Sequence, residues 1–185
     1  MRGYFGIGVE GISKPANLGA LLRTAHAFGA SFVFTIGAAF DARRVADADT
    51  AASHESVPLH VYPDLAHFVL PEGCQLVGLE LIDEAIDLPS FRHPTRAAYV
   101  LGAERALLSP ALIGRCDFTV QIPGRFCVNL AVAGAIAMYD RMISLGRFAE
   151  RPVRTGGPTA PRAGHIHGAP LWATKKAARR KASAD

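Results

Sequence analysis

The absences in this sequence narrow it first. No apolar run reaches the roughly 20 residues that a helix needs to span a bilayer, so no membrane-spanning segment is expected. The first residues, Met1-Arg2-Gly3-Tyr4-Phe5, lead straight into a strand-like stretch without a signal peptide's apolar region. A cytoplasmic protein is therefore expected, with no domain ahead of the first strand. Cysteine is scarce: Cys74, Cys116 and Cys127 make an odd count without CxxC spacing, which argues against a disulfide framework or a zinc site. For Cys74 and Cys116 the expectation is a buried, unreactive thiol. Five histidines (His26, His54, His60, His67, His93) show no metal-ligand spacing, and His165 and His167 fall in a Gly-rich stretch, so no metal is expected. The sequence also lacks a GxGxxG after its first strand, a P-loop lysine motif, an HExxH and a GxSxG, which removes the commonest nucleotide, metalloprotease and hydrolase signatures.

What remains is a chain of 185 residues, 50% hydrophobic, enough for one globular domain with a sizeable core. Its charge is unevenly placed. Residues 1–150 carry 12 Lys+Arg against 15 Asp+Glu, a net of −3, whereas 151–185 carry 8 against one, a net of +7, which together return the +4 of the chain. A mildly acidic body with a basic tail suits a polyanionic partner.

Apolar patterning predicts strands over 4–10, 31–36, 59–62, 75–81, 97–101 and 118–122. Helices are predicted over 17–28, 41–52, 64–70 and 127–145. In the first helix Leu18, Leu21, Leu22, Ala25 and Phe28 recur at helical spacing, and Gly29 is a C-terminal stop. Strands that alternate with helices predict an α/β domain, a parallel sheet covered by helices on both faces. Residues 1–150 form that domain, and 151–185 read as a Pro/Gly-rich linker followed by a basic, flexible appendage.

Three segments in order carry the chemistry. Asn17-Leu-Gly-Ala-Leu-Leu-Arg23-Thr-Ala-His-Ala-Phe-Gly29 is an N-x5-R-x5-G pattern just after the first strand. Leu101-Gly102-Ala103-Glu104, continuing to Leu108-Ser109-Pro110, follows a later strand. Ile122-Pro123 and then Asn129-Leu-Ala-Val-Ala133 open the last long helix. Together they resemble the three motifs of the SpoU (TrmH-like) RNA 2′-O-ribose methyltransferases of the SPOUT superfamily, over residues 4 to about 145. The resemblance implies a deep C-terminal trefoil knot, which general topological rules would not propose. It also implies S-adenosyl-L-methionine as cofactor, tRNA or rRNA as substrate, and a homodimer paired through the knot and last helix. The face Ala131-Ala135-Met138-Tyr139 is compatible with that pairing.

Carried over residue by residue, the resemblance gives cofactor contacts through backbone groups at Gly102, Ile122, Val128 and Leu79. It gives catalytic roles to Arg23, Asn17, Glu104 and Asn129. Arg23 acts as base or as the cation that stabilises the forming alkoxide, and the second role suits a guanidinium that stays charged. Asn17 orients Arg23 or the ribose. Glu104 anchors its loop or holds Arg23, and Asn129 stabilises the knot's RNA-facing edge. Three departures stand out: a short loop between Pro123 and Asn129, Cys127 where the family has serine, and Leu107 where it has glycine.

Each residue also has a plain structural alternative. Asn17 sits where a helix cap belongs, Arg23 on a solvated helix face, and Glu104 where a first-turn acid complements the helix dipole. Asn129, read as a buried amide, needs partners. RNA contact is expected from Arg2, Lys14, Arg23, Arg125, Lys175, Lys176, Arg179, Arg180 and Lys181, with Trp172 beside the basic tail. The competing functional class is a non-catalytic knotted RNA-binding or assembly protein.

Overall fold

The computed structural model describes residues 3–42, 45, 57–103, 106–146, 148 and 155–157. Nearly all of these belong to the first of two compact units, Met1–Arg147. Within it the chain runs β1 (Tyr4–Glu10), α1 (Pro15–Phe28), β2 (Phe32–Ile36), β3 (Leu59–Tyr62), β4 (Gln75–Leu79) and β5 (Ile86–Asp87). It continues through a single 3-10 turn (Leu88–Ser90), β6 (Arg96–Leu101), α2 (Pro110–Ile113), β7 (Phe118–Gln121) and α3 (Leu130–Leu145).

All seven strands join one sheet in the order β3-β2-β1-β6-β4-β7-β5, and every pairing is parallel. Parallel strands buried on both faces need continuous apolar runs rather than alternation. The stretches Phe5 to Val9 and Ala97 to Leu101 supply them, all buried. α1 and α3 cover one face, where Ile7, Val9, Leu18, Leu21, Leu22, Ala137 and Met138 pack into one cluster. The two helices approach closely at Gly134, where a Cβ would lie 2.8 Å from a Leu21 methyl. The opposite face is smaller. Phe34, Ile36, Leu76, Ala98 and Val100 are covered there by Leu112 of α2 and by Phe68 from the loop before β4.

Local chemistry accounts for the helix ends. α1 begins two residues earlier than its apolar pattern suggests. Lys14 is its N-cap, without a side-chain cap bond, and Pro15 takes the first helical position, where its fixed φ suits the helix and its missing N–H costs nothing. Asn17 therefore lies inside the first turn, and the capping alternative for it is wrong. Gly29 ends the helix in a left-handed conformation, φ 73°, as its position predicts. α3 begins at Leu130 rather than near Cys127, and Asn129 is its N-cap.

Residues 64–70 are not helical, against expectation. Asp64 accepts from the His67 backbone N–H at 3.0 Å, which closes a side-chain turn. The Arg115 guanidinium then takes the carbonyls of Leu65 and Phe68 at 2.8 and 3.0 Å. β4 ends at Leu79 rather than at 81: Glu80 N–H still bonds the Val120 carbonyl of β7, but Leu81 N–H turns to the Glu80 carboxylate. The short β5 and α2 carry no pattern long enough to read. Of the helix predicted over 41–52 only residues 41, 42 and 45 are described, with 42 and 45 helical, and the tail over 158–185 lies outside the described residues. No helix among the described residues is long and apolar enough to cross a membrane.

Beneath the N-terminal edge of the sheet, α3 is pinned by a buried charge. Arg141 is 1% exposed and donates to the carbonyls of Pro94 and Thr95 and to the Tyr99 hydroxyl. Its guanidinium lies 5.2 Å from the Phe5 ring, a favourable cation–π distance.

Candidate active site

The sheet order brings the C-terminal ends of β6, β4 and β7 side by side, and ligands of open parallel sheets bind outside those ends. Leu79 is the last residue of β4, Gly102 follows β6, and Ile122 follows β7. Val128 sits in the loop leading to α3. These four residues, apart in sequence, line one cavity of about 320 Å³ together with Leu101, Phe126, Cys127 and Glu80.

Gly102 sits where a Cβ has no room unless its surroundings move. A Cβ there would stand 2.8 Å from the Ala106 carbonyl oxygen, 3.0 Å from a Glu80 carboxylate oxygen and 3.1 Å from the Leu108 amide nitrogen. The backbone after β6 is thus pressed against the loop that closes over it. Two carboxylates hold that loop. Glu80 accepts from Leu108 N–H at 2.8 Å. Glu10 takes both the Ser109 amide and its hydroxyl at 2.7 Å, while Ser109 caps α2 by accepting from Leu112 N–H.

Of the residues expected to be catalytic, the structure joins two. The Asn129 side-chain N–H donates to the Asn17 side-chain oxygen at 3.1 Å. The Asn129 side-chain oxygen accepts from Ala131 N–H at 2.9 Å, capping α3. Asn129 is exposed, not buried, so its amide is satisfied at the surface by the cap and by Asn17. Arg23 lies on the same helix as Asn17 with its side chain exposed. Glu104 lies outside the described residues.

The cavity's thiol, Cys127, is exposed. Burial pushes the other two thiols up, Cys116 to about 11 and Cys74 in the same direction, which fits inert cysteines. No group of three or more His, Cys, Asp or Glu among the described residues is arranged to hold a metal ion. The proposed pairing face on α3 is not one face. Ala131 and Met138 are buried within the chain, while Val132 and Tyr139 are about half exposed. Glu80 escaped sequence reading because it belongs to no motif, and only the fold shows its contact with the 102–108 loop.

The profile of the SpoU rRNA Methylase family matches residues 5–139. A 23S rRNA (guanosine-2′-O-)-methyltransferase RlmB from Coxiella burnetii is 33% identical over 147 residues, covering 71% of this chain and 55% of that protein. A tRNA (guanosine(18)-2′-O)-methyltransferase from Thermus thermophilus is 27% identical over 138 residues, 71% of each chain. Among solved structures, the SpoU methyltransferase AviRb from Streptomyces viridochromogenes in complex with AdoMet superposes with a TM-score of 0.65 at 26% identity, over 77% of this chain and 58% of that one. The chain thus spans just over half the length of the RlmB and AviRb proteins it matches. A parallel α/β sheet with a ligand-sized crevice at its carboxyl edge defines the class, and this chain belongs to the SpoU family of RNA methylases. The resemblance carried by the three motifs is therefore borne out.

Proposed function

We propose that the chain is an S-adenosyl-L-methionine-dependent RNA methyltransferase that modifies a ribose 2′-hydroxyl of tRNA or rRNA in the cytoplasm. The observation that carries this reading is the single cavity that Leu79, Gly102, Ile122 and Val128 line together. A site made of strand-end backbone and apolar side chains suits an adenosyl group, whose base is read by amides and carbonyls and whose faces need apolar contact. The relatives named as guanosine 2′-O-methyltransferases and the AdoMet complex of AviRb support the same reading.

The bound cofactor supplies a sulfonium methyl as electrophile. The chain must place the 2′-oxygen in line with that methyl and remove its proton. The hydroxyl proton passes to a solvent water, and Arg23, exposed on α1, stabilises the oxygen left behind, because a cation set against developing negative charge lowers the barrier. The Asn17–Asn129 pair ties the start of α1 to the start of α3, so the helix that carries Arg23 is held against the loop that carries Val128. Glu104 is assigned to the same cluster through its motif.

The knot is part of the proposal. β6 inserts between β1 and β4, and β7 between β4 and β5, an order that supports a chain threaded through its own C-terminal loops. A homodimer is proposed on the half-exposed Val132 and Tyr139 of α3 and on Phe28, whose ring meets Tyr139 edge-on at 6.4 Å. Residues 1–150 make the methyltransferase domain in this reading, and the basic 151–185 segment an RNA-contacting extension.

A second reading, a knotted RNA-binding protein without catalysis, draws on Cys127 replacing the family's serine beside the cavity. Methyl transfer from labelled S-adenosylmethionine to RNA from a host lacking the protein separates the two. A 2′-O-methylated nucleoside in the digest confirms the enzyme. No transfer together with no cofactor binding favours the second reading.

A further inference from the structure

We infer that Glu80 holds the ribose cis-diol of the bound adenosyl cofactor. The inference rests on the cofactor reading above and extends it to a side chain outside the three motifs. Glu80 follows β4 directly, and its own N–H is fixed to the Val120 carbonyl of β7 at 2.9 Å. Its carboxylate is fixed as well: one oxygen accepts from Leu81 N–H at 3.0 Å and the other from Leu108 N–H at 2.8 Å.

A carboxylate oxygen has two acceptor positions. Each oxygen of Glu80 spends one on a backbone amide, so each retains one. Two free acceptor positions on adjacent oxygens match two vicinal hydroxyl donors. Among the described residues lining the cavity, Glu80 is the only charged side chain, and the rest of that lining is mainly apolar. The carboxylate also lies against Gly102, 3.0 Å from where a Cβ would stand, and the two residues line the same cavity. A ligand that displaces water from this wall must offer the anion hydrogen bonds in return, since stripping water from a charge without replacing its hydrogen bonds is costly. The cis-diol is the part of an adenosyl group that offers two donors at the right separation.

The test is calorimetric and needs no RNA. S-adenosylmethionine, S-adenosylhomocysteine and the 2′,3′-dideoxy analogue of the latter are titrated into the wild-type protein and into Glu80→Gln, with thermal unfolding of both proteins alongside. Wild type is expected to lose on the order of 30-fold in affinity with the diol, the scale of two hydrogen bonds to a charged group. In E80Q the same deletion is expected to cost about fivefold or less, because the neutral amide retains only one acceptor oxygen.

Wild type that binds both ligands equally overturns the inference without any variant, even if E80Q fails to fold. An equal diol penalty in wild type and folded E80Q overturns it too. If E80Q instead changes only the ratio of S-adenosylmethionine to S-adenosylhomocysteine affinity, the carboxylate serves the sulfonium charge and the diol assignment is wrong. No binding of any of the three ligands to wild type sinks the cofactor reading itself, and Glu80's role with it.

Discussion

The side-chain amide of Asn129 donates to that of Asn17 across 3.1 Å, although 112 positions separate them in the chain. The same Asn129 caps α3, so one residue serves helix stability and site geometry, and substitutions can separate the two. Asn129→Ala loses both roles and should cost about 1 kcal/mol of stability through the cap. Asn129→Ser keeps a capping oxygen but falls short of Asn17, so it should unfold close to wild type. Both variants should lower methyl transfer about tenfold, and Asn17→Ala combined with Asn129→Ser should be no worse than either alone. Urea denaturation and single-turnover transfer read the two effects. Full additivity in transfer would mean that the pair does not act as a unit.

Arg23 carries the sharpest kinetic expectation. Replacement by alanine should lower transfer by at least about 100-fold while S-adenosylhomocysteine affinity stays within about threefold, since the charge matters for the developing alkoxide and not for the cofactor. Arg23→Lys should recover part of the loss by restoring charge without the planar fork. A large fall in cofactor affinity for R23A would make Arg23 a structural residue of α1.

The Gly102 cradle can be tested by a single methyl group. Gly102→Ala drives a Cβ to 2.8 Å from the Ala106 carbonyl, a backbone atom that cannot swing away as a side chain can. The closing loop must move, at a cost of about 1–3 kcal/mol. Cofactor affinity should fall about tenfold or more, as calorimetry would show. Unchanged affinity would place the adenosyl group elsewhere.

These residues mark what the sequence made legible. Motif positions could be placed because each strand is a short apolar run whose end is marked locally, and three such ends, with the loop that carries Val128, converge on one cavity. Contacts between distant segments were not legible. The 64–70 stretch has helical spacing, yet Arg115, 47 positions after Phe68, takes its carbonyls. Glu80 owes its importance to an amide 28 positions away. Asn17 looked like a cap because Asn before an apolar stripe usually is one, and the pre-set φ of Pro15 moved the helix start past it. Strand order is the extreme case, since nothing local records that β6 inserts between β1 and β4.

Cysteine reactivity offers an independent view of the cavity. Cys127 is exposed and lines it, whereas burial holds the thiols of Cys116 and Cys74 in their less reactive protonated form. Iodoacetamide at pH 8 should modify Cys127 first, and S-adenosylhomocysteine should slow that reaction without affecting the other two. Peptide mass spectrometry over a time course distinguishes the sites. Equal labelling of Cys116 in the native protein would contradict its burial.

The buried cluster beneath the sheet predicts how stability depends on pH. The His93 side chain is fully buried; its two ring nitrogens meet the Tyr99 hydroxyl at 2.5 Å and an Asp140 carboxylate oxygen at 2.9 Å. Burial lowers its pKa below the ordinary 6.5, and the nearby Arg141 charge adds to that, while Asp140 opposes it. Tyr99 is pushed up to about 12, chiefly by burial, so its phenol stays protonated and can donate to the neutral imidazole. With the folded pKa depressed, the unfolded chain takes up the proton first as pH falls. Stability from this group is therefore complete above about pH 6.5 and is lost as pH drops through that value toward the folded pKa, with a slope of at most ~1.4 kcal/mol per pH unit. Denaturation curves at pH 7.5, 6.5 and 5.5 should show this loss in the wild type. In His93→Gln, which lacks a titrating group, stability should be lower at pH 7.5 but its decline below pH 6.5 shallower. If both proteins decline in parallel, the acid sensitivity lies in other groups and His93 is only packed, not titrated, in this range.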